Sequence, residues 1–179
     1  DIATSDFLIP YKTARPSSAK KRLRQQGLGK QDFHQLVFLD GFYSTELSSE
    51  ALQIKGCIIG PLSQAWKSHA VRGSLGTLAN SEDHAFTALN TAFARDGAFI
   101  QIPANTKIEK PINIIFLTLE WQDKIATHPR TLVNVEKNSS AIIVETHCST
   151  GETKYLSNAV SEIFLEDGSH LDHYRLQIH

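Results

Sequence analysis

Three seven-residue strings constrain this chain more tightly than anything else in it. They are Ile102-Pro103-Ala104-Asn105-Thr106-Lys107-Ile108, Val135-Glu136-Lys137-Asn138-Ser139-Ser140-Ala141 and Leu165-Glu166-Asp167-Gly168-Ser169-His170-Leu171. Each runs aliphatic, two variable positions, Asn or Gly, Ser or Thr, polar, apolar, and they start 33 and 30 residues apart. A strand that bends sharply needs a residue that tolerates positive φ, which Gly, Asn and Asp do most cheaply. The neighbouring hydroxyls can then bond a local backbone group. One turn chemistry recurring about every thirty residues implies stacked coils, whereas a sandwich of hairpins requires no such period. Strands are expected before each turn at Phe99–Ile102, Leu132–Val135 and Ile163–Leu165. After the turns they are expected at Ile112–Leu119, Ile142–Thr146 and Leu171–Gln177. In the stack, Val133, Val135, Ile142 and Val144 are expected to face the same interior as Ile163, Leu165, Asp172 and Tyr174. Glu145 falls opposite Arg175, as an exposed ion pair worth ~0–1 kcal/mol. Residues 98–179 thus read as coils of a parallel β-helix.

The chain before the repeat has a different texture. Residues 1–35 form a basic helical or flexible arm: between Lys12 and Lys30 lie seven bases (Lys12, Arg15, Lys20, Lys21, Arg22, Arg24, Lys30) and no acid. Ser18 suits an N-cap for a short helix over Ala19–Gln26, Gly27 suits its stop, and with Leu23 as almost its only apolar anchor the helix is expected to be solvated. Residues 36–97 read as mixed α/β. Leu36-Val37-Phe38-Leu39 is a strand, Asp40-Gly41 a tight turn, Phe42-Tyr43 a return strand. Cys57-Ile58-Ile59 is a second apolar run closed by Gly60-Pro61, and Arg72-Gly73-Ser74-Leu75-Gly76 a loop. The spacing of Ala85, Phe86, Leu89, Ala92 and Phe93 predicts an amphipathic helix over about 82–95, capped by Ser81, stopped by Gly97, with this apolar stripe in the core.

Function classes narrow by elimination. Eighteen basic against nineteen acidic residues give a net charge of −1 over 179 residues, which argues against a general nucleic-acid binder. No apolar run reaches the ~18 residues of a membrane span. Asp1–Asp6 lack the charged-then-apolar order of a signal peptide. Cys57 and Cys148 form no C-x-x-C pair, so neither a zinc site nor a disulfide framework is legible. His147 and Cys148 are adjacent and face opposite sides of a strand, and His170 and His173 alternate poorly for joint ligation. His128-Pro129-Arg130 suits a loop-to-strand transition, and both cysteines suit apolar filling. There is no nucleophile elbow, H-E-x-x-H or phosphate loop. No catalytic, cofactor-binding or metal-ligating residue is assigned on these grounds.

A set of ordered strings adds a resemblance. Leu36-Val37-Phe38-Leu39-Asp40-Gly41-Phe42-Tyr43 with Glu46-Leu47-Ser48, Leu75-Gly76-Thr77-Leu78-Ala79, Ala85–Phe93, Asp96-Gly97-Ala98 and Ile102-Pro103 form its first part. Ile108-Glu109-Lys110-Pro111-Ile112, His128-Pro129-Arg130 and Leu171-Asp172-His173-Tyr174-Arg175-Leu176-Gln177 complete it. Together they resemble the SufD side of the SufB/SufD family of the Suf iron–sulfur cluster assembly system. The resemblance implies a mainly β fold, a right-handed parallel β-helix preceded by a helical or mixed N-terminal region. It implies a non-enzymatic scaffold acting with SufB and the SufC ATPase, and a homodimer is a further expectation. It implies no cofactor in this chain, with iron or a cluster held only in the assembled complex. The expected location is the cytoplasm, or the plastid stroma in a photosynthetic eukaryote, with no membrane or nucleic-acid partner. Family members run well past this length, so their later segments have no counterpart here and no site residue is carried over. His179 is accordingly expected not to be the native terminus, and residues 1–179 alone are expected to self-associate through an open strand edge. The alternatives from other classes are a carbohydrate-active or acyl-transferring β-helix enzyme, suggested by the stacked Glu136 and Glu166, and a bare oligomerisation module.

Overall fold

The computed structural model describes residues 6–11, 16–28, 32–49, 54, 56–151 and 154–178, with the side chains of 16–18 outside that description. The elements are α1 Pro16–Gln25, β1 His34–Leu39, β2 Phe42–Tyr43, β3 Ile58–Pro61, α2 Leu62–Ala65, α3 His69–Ser74 and α4 Ala85–Phe93. They continue with β4 Ala98–Ile102, β5 Ile112–Thr118, β6 Ile125–Thr127, β7 Arg130–Val135, β8 Ser140–Ser149, β9 Tyr155–Ser157, β10 Val160–Leu165 and β11 His170–Ile178. The fold is mainly β with a helical N-terminal part.

From β4 onward the chain visits three sheets in rotation. β4, β7 and β10 pair in parallel, as do β5, β8 and β11, and as do β6 and β9. The turns recur where the repeat places them. Asn105, Asn138 and Gly168 have φ of 58°, 57° and 71°. Each turn bonds the one above it: Asn105 N donates to the Lys137 carbonyl and Asn138 N to that of Asp167. Ser139, buried, donates its hydroxyl to the Pro103 carbonyl and accepts from Thr106 N. The hydroxyls of Thr106 and Ser169 act locally, on the Ala104 and Glu166 carbonyls.

N-terminal strands close one end of this stack. β1 lies parallel beside β5, and β3 lies antiparallel beside β4 with Pro61 in it, an edge position where a missing N–H costs no ladder bond. Asp40 and Gly41, both at positive φ, turn β1 into antiparallel β2. The interior between the two large sheets is aliphatic and aromatic, with Leu36, Phe38, Ile100, Ile102, Ile112, Ile114, Val133, Val135 and Ile143 all buried. Each such side chain is worth about 1.5–3 kcal/mol.

The structure corrects several expectations. Ile142 and Val144 pair with Asp172 and Tyr174 as expected, but the inward residues of β8 are Ala141, Ile143 and Glu145, and Ile142 and Val144 lie half-buried on the outside. The first round also carries a two-residue excursion, an even number that leaves the alternation of faces unchanged. Lys107 bridges Ser140, 33 residues on, whereas Ile112 pairs with Ile143, 31 residues on. The surplus lies in the segment through Lys110-Pro111. Leu165 pairs with Val135 but is exposed at the outer rung.

The helix expected at 82–95 is shorter, and its orientation is reversed. His84 stands at the cap position without a side-chain bond, and residues 81–83 form a turn in which Asn80 Oδ1 accepts from Glu82 N. Phe86 is 52% and Phe93 43% exposed, whereas Asn90 is fully buried. The surface beneath α4 presents the Pro129 and Asn158 carbonyls, and Asn90 Nδ2 donates to both. Buried carbonyls need donors, so the amide faces in and the aromatic rings face out. Gly97 is not the helix stop, since α4 ends at Phe93. Nor is Arg72–Ser74 loop: it is the last turn of α3, whose cap is Ser68.

α1 likewise departs from a solvated arm. It packs Ala19 and Leu23 against Val37, Leu39, Ile115, Leu117 and Cys148 on the outer face of the β1–β5–β8 sheet. Gly27 does end it, at φ 68°: Gly27 N donates to the Arg24 carbonyl and Leu28 N to that of Leu23, the Schellman pattern. The helix begins at Pro16, ahead of the expected Ser18 cap. The Ser18 side chain and Lys12, Arg15, Lys30 and His179 lie outside the described residues.

Candidate functional site

Up the stack, the inward face of the β5–β8–β11 sheet changes from apolar to ionic. Register sets Ile114, Glu145 and Arg175 in one row, and Ile112, Ile143 and His173 in the next. Glu145 is fully buried. His147 Nε2 lies 2.7 Å from its Oε1, Arg175 Nη2 3.3 Å from Oε1 and His173 Nε2 3.5 Å from Oε2, and Ser161 donates its hydroxyl to Oε2 across the interior. Arg175 Nη2 also lies 3.2 Å from His147 Nε2. That nitrogen faces a carboxylate oxygen, an acceptor only, so it carries the proton and donates to Glu145. Phe116 stacks on the His147 ring at 5.1 Å.

Burial alone would push the Glu145 carboxyl up; the hydrogen bonds from His147 and His173 and the charge of Arg175 outweigh it and hold it far below the usual carboxylate range. Glu145 is therefore a fixed anion at neutral pH and not a proton acceptor. The pair expected to be exposed is half so: Glu145 is enclosed, and Arg175 reaches a recess of about 420 Å³ lined by Ser157, Asn158, Ala159 and Gln177.

A second buried carboxylate ties the helical part to the rungs. Glu162 on β10 accepts from the backbone N–H groups of Gly76, Leu78 and Ala79 and from Arg130 Nη2 at 2.5 Å. Arg130 Nη1 donates to Asn90 Oδ1. Burial raises the Glu162 carboxyl, but the Gly76 and Ala79 N–H groups and the guanidinium prevail and set it below its ordinary value. The segment after α3 thus cradles a carboxylate of this chain rather than a phosphate. Sequence reasoning passed over Glu162 and placed Glu145 only in an exposed pair with Arg175. The signal was the pairing of acid and base one rung apart, Arg130 with Glu162 and Glu145 with Arg175.

The other weighed residues fall apart in space or have structural duties. His170 faces outward beside Asp172 at 3.3 Å, on the opposite side of β11 from His173. Cys148 lies in the cluster under α1, and burial pushes its thiol up to about 12. Burial also raises the Cys57 thiol. His128 is buried near Phe93 and lowered by that burial. Glu136 and Glu166, the stacked pair that suggested a carbohydrate-active site, each accept from the turn below: Glu136 from Ala104 N, Glu166 from Lys137 N. Among the described residues no group of three or more His, Cys, Asp or Glu is arranged to hold a metal ion, and no helix is long and apolar enough to cross a membrane.

Comparison with known proteins supplies what the geometry does not. Residues 18–114 match the SufBD protein N-terminal region, and residues 118–179 match the SufBD core domain of the SUF iron–sulfur cluster assembly system. An iron–sulfur cluster assembly SufBD family protein of Synechocystis is 34% identical over 155 residues, 79% of this chain and 33% of that protein. Bacillus subtilis SufD is 29% identical over 89 residues, 49% of this chain and 20% of its own. Bacillus subtilis SufB is 25% identical over 170 residues, 90% and 36%. The chain spans about a third or less of the length of these relatives.

Proposed function

From the premise that the chain belongs to the SufBD family of iron–sulfur cluster assembly proteins, we propose that it serves cluster assembly as a non-catalytic, SufD-type scaffold. The observation that carries this reading is the consecutive match of residues 18–114 and 118–179 to the two parts of that family. On this reading the rotating strands are the first coils of a right-handed parallel β-helix. The buried anions Glu145 and Glu162, each neutralised by a neighbouring cation, are struts that hold rungs together rather than reacting groups.

The partners are SufB and the SufC ATPase, and the setting is the cytoplasm or the plastid stroma. Iron or cluster belongs to the assembled complex. Co-expression with SufB and SufC, followed by affinity purification and size-exclusion chromatography, tests the partnership. A stoichiometric complex is expected; a folded chain that elutes alone overturns it. Anaerobic reconstitution of the chain by itself is expected to leave the iron–sulfur charge-transfer region dark, and a stable stoichiometric cluster refutes that part.

A further inference from the structure

The N-terminal segment crosses the edge of the small β6–β9 sheet as a short extra strand. Leu8 bridges Ile125 in parallel; its N–H donates to the Lys124 carbonyl and its own carbonyl accepts from Ala126 N. The Leu8 side chain is 57% exposed. Its neighbours Phe7 and Ile9 turn the other way, as the two-residue period of a strand directs, and line a cavity of about 290 Å³. Leu89 and Phe93 of α4 form a second wall, and Ala126, Leu156 and His128 complete the lining. Of these residues only His128 carries a polar side-chain group. An apolar hollow with a single placed polar group is the usual make-up of small-ligand sites, and this one stands at the small end of their ~300–1,000 Å³ range.

His128 is 5% exposed, with its ring 5.7 Å from that of Phe93. Asn158 fixes its tautomer. Asn158 Nδ2 donates to the Phe86 carbonyl at 2.8 Å, so the same nitrogen is a donor towards His128 Nδ1 at 3.3 Å. Nδ1 therefore accepts, and the proton of the neutral ring sits on Nε2. Nε2 meets no acceptor among the described residues, and it is not one of the side-chain atoms sealed from solvent without a partner. A side chain so enclosed keeps its remaining surface on the cavity it lines, so this N–H is offered to whatever occupies that cavity. Burial holds the imidazole neutral, and no other ionisable side chain lines the space. A carboxylate would enter it without a counter-charge, which is costly. An uncharged oxygen acceptor on an apolar body meets both the lining and the unmet donor.

We propose that this cavity binds a small, uncharged apolar molecule through a carbonyl oxygen that accepts from His128 Nε2. Acetophenone, isopropylbenzene and benzoate are titrated separately into the full chain and followed through the His128 ring and Ala126 methyl resonances. Acetophenone is expected to saturate, with the Nε2 proton shifted downfield. Isopropylbenzene has the same shape without the oxygen and is expected to bind roughly three- to tenfold more weakly, as the loss of one neutral hydrogen bond does. Benzoate is expected to bind more weakly than the ketone. His128→Phe keeps a ring beside Phe93 and leaves Asn158 its bond to the Phe86 carbonyl. It is expected to retain isopropylbenzene and to lose the preference for the ketone, a change of ratio that loosened packing alone does not produce. Absence of saturation by acetophenone in the millimolar range overturns the proposal. So does equal affinity for ketone and hydrocarbon, or tightest binding of benzoate, in the wild-type chain, and these comparisons stand whether or not the variant folds. A folded His128→Phe that keeps the preference also overturns it. Neither SufB nor SufC is needed, so failure here leaves the family reading untouched.

Discussion

Glu162→Gln isolates the tie between the helical segment and the rungs. Arg130 and Glu162 have side chains 3% and 0% exposed, so neither charge is appreciably relieved by water when the other is removed. Glutamine offers one oxygen where the carboxylate offers two. Leu78 and Ala79 N–H groups share Oε1 and retain it; Gly76 N and Arg130 Nη2 share Oε2 and would meet an amide N–H instead. Two donors then face a donor, and a buried guanidinium loses its counter-charge. Breaking one side of a buried pair costs about 3–5 kcal/mol. At ~2–4 °C per kcal/mol for a chain of this size, Tm should fall by roughly 6–20 °C. Urea unfolding followed by circular dichroism gives the free energy directly. The control is Arg130→Met, which leaves Glu162 with its three backbone donors and is expected to cost less than Glu162→Gln. The pH dependence has a definite sign. Glu162 titrates below its ordinary 4.5 in the folded chain, so its stabilisation is complete above that value and is lost as pH falls through the lower folded value. The gap between wild type and Glu162→Gln should close in acid. A gap under about 1 kcal/mol at pH 7, the scale of an exposed pair, refutes the strut.

Gly168→Ala places a Cβ 2.5 Å from Asn138 Oδ1 at a φ of 71°, and is expected to cost about 1–2 kcal/mol. Part of this should be recovered in Asn138→Gly, a coupling that a double-mutant cycle in urea reads. Asn138→Val should cost about the same from backbone strain alone, while Asn138→Gly by itself is tolerated. Gly97→Ala should be among the most damaging single changes, beyond the roughly 1–3 kcal/mol of ordinary overpacking, because its Cβ would fall 1.7 Å from the Arg130 carbonyl oxygen; a soluble variant with wild-type Tm refutes it. Cys148 should resist alkylation at pH 8 in the folded chain, with its thiol up to about 12, and react once urea exposes it; mass spectrometry of the labelled peptides decides.

The turns were legible because a backbone at positive φ admits few residues, so Asn105, Asn138 and Gly168 declare themselves locally. Asp40-Gly41 and Gly27 declare themselves for the same reason. The run Leu36–Leu39 reveals its strand because burial on both faces leaves no polar alternation. The short helices α2 and α3 and the strands β6 and β9 escaped, since three to six residues carry too little period to read. The candidate site was legible only as fragments: Glu145 opposite Arg175 was in view, but its depth of burial was not.

What the amino-acid order determined by itself is therefore what depends on neighbours along the chain: the turn positions, the strand segments and the end of α1. What only the tertiary structure decided is what depends on neighbours across it. Packing against the interior set Ala141, Ile143 and Glu145, not Ile142 and Val144, as the inward residues of β8. Two carbonyls from separate loops turned Asn90 under α4 and its phenylalanines out. Gly97 is glycine because the Arg130 backbone, thirty-three residues later, passes over it. Glu162 is charged and buried because three N–H groups of the segment after α3 converge on it. Each of these outcomes is a hydrogen bond or a steric contact whose second partner is placed by the stacking of the rungs, and no local pattern encodes where that partner will stand.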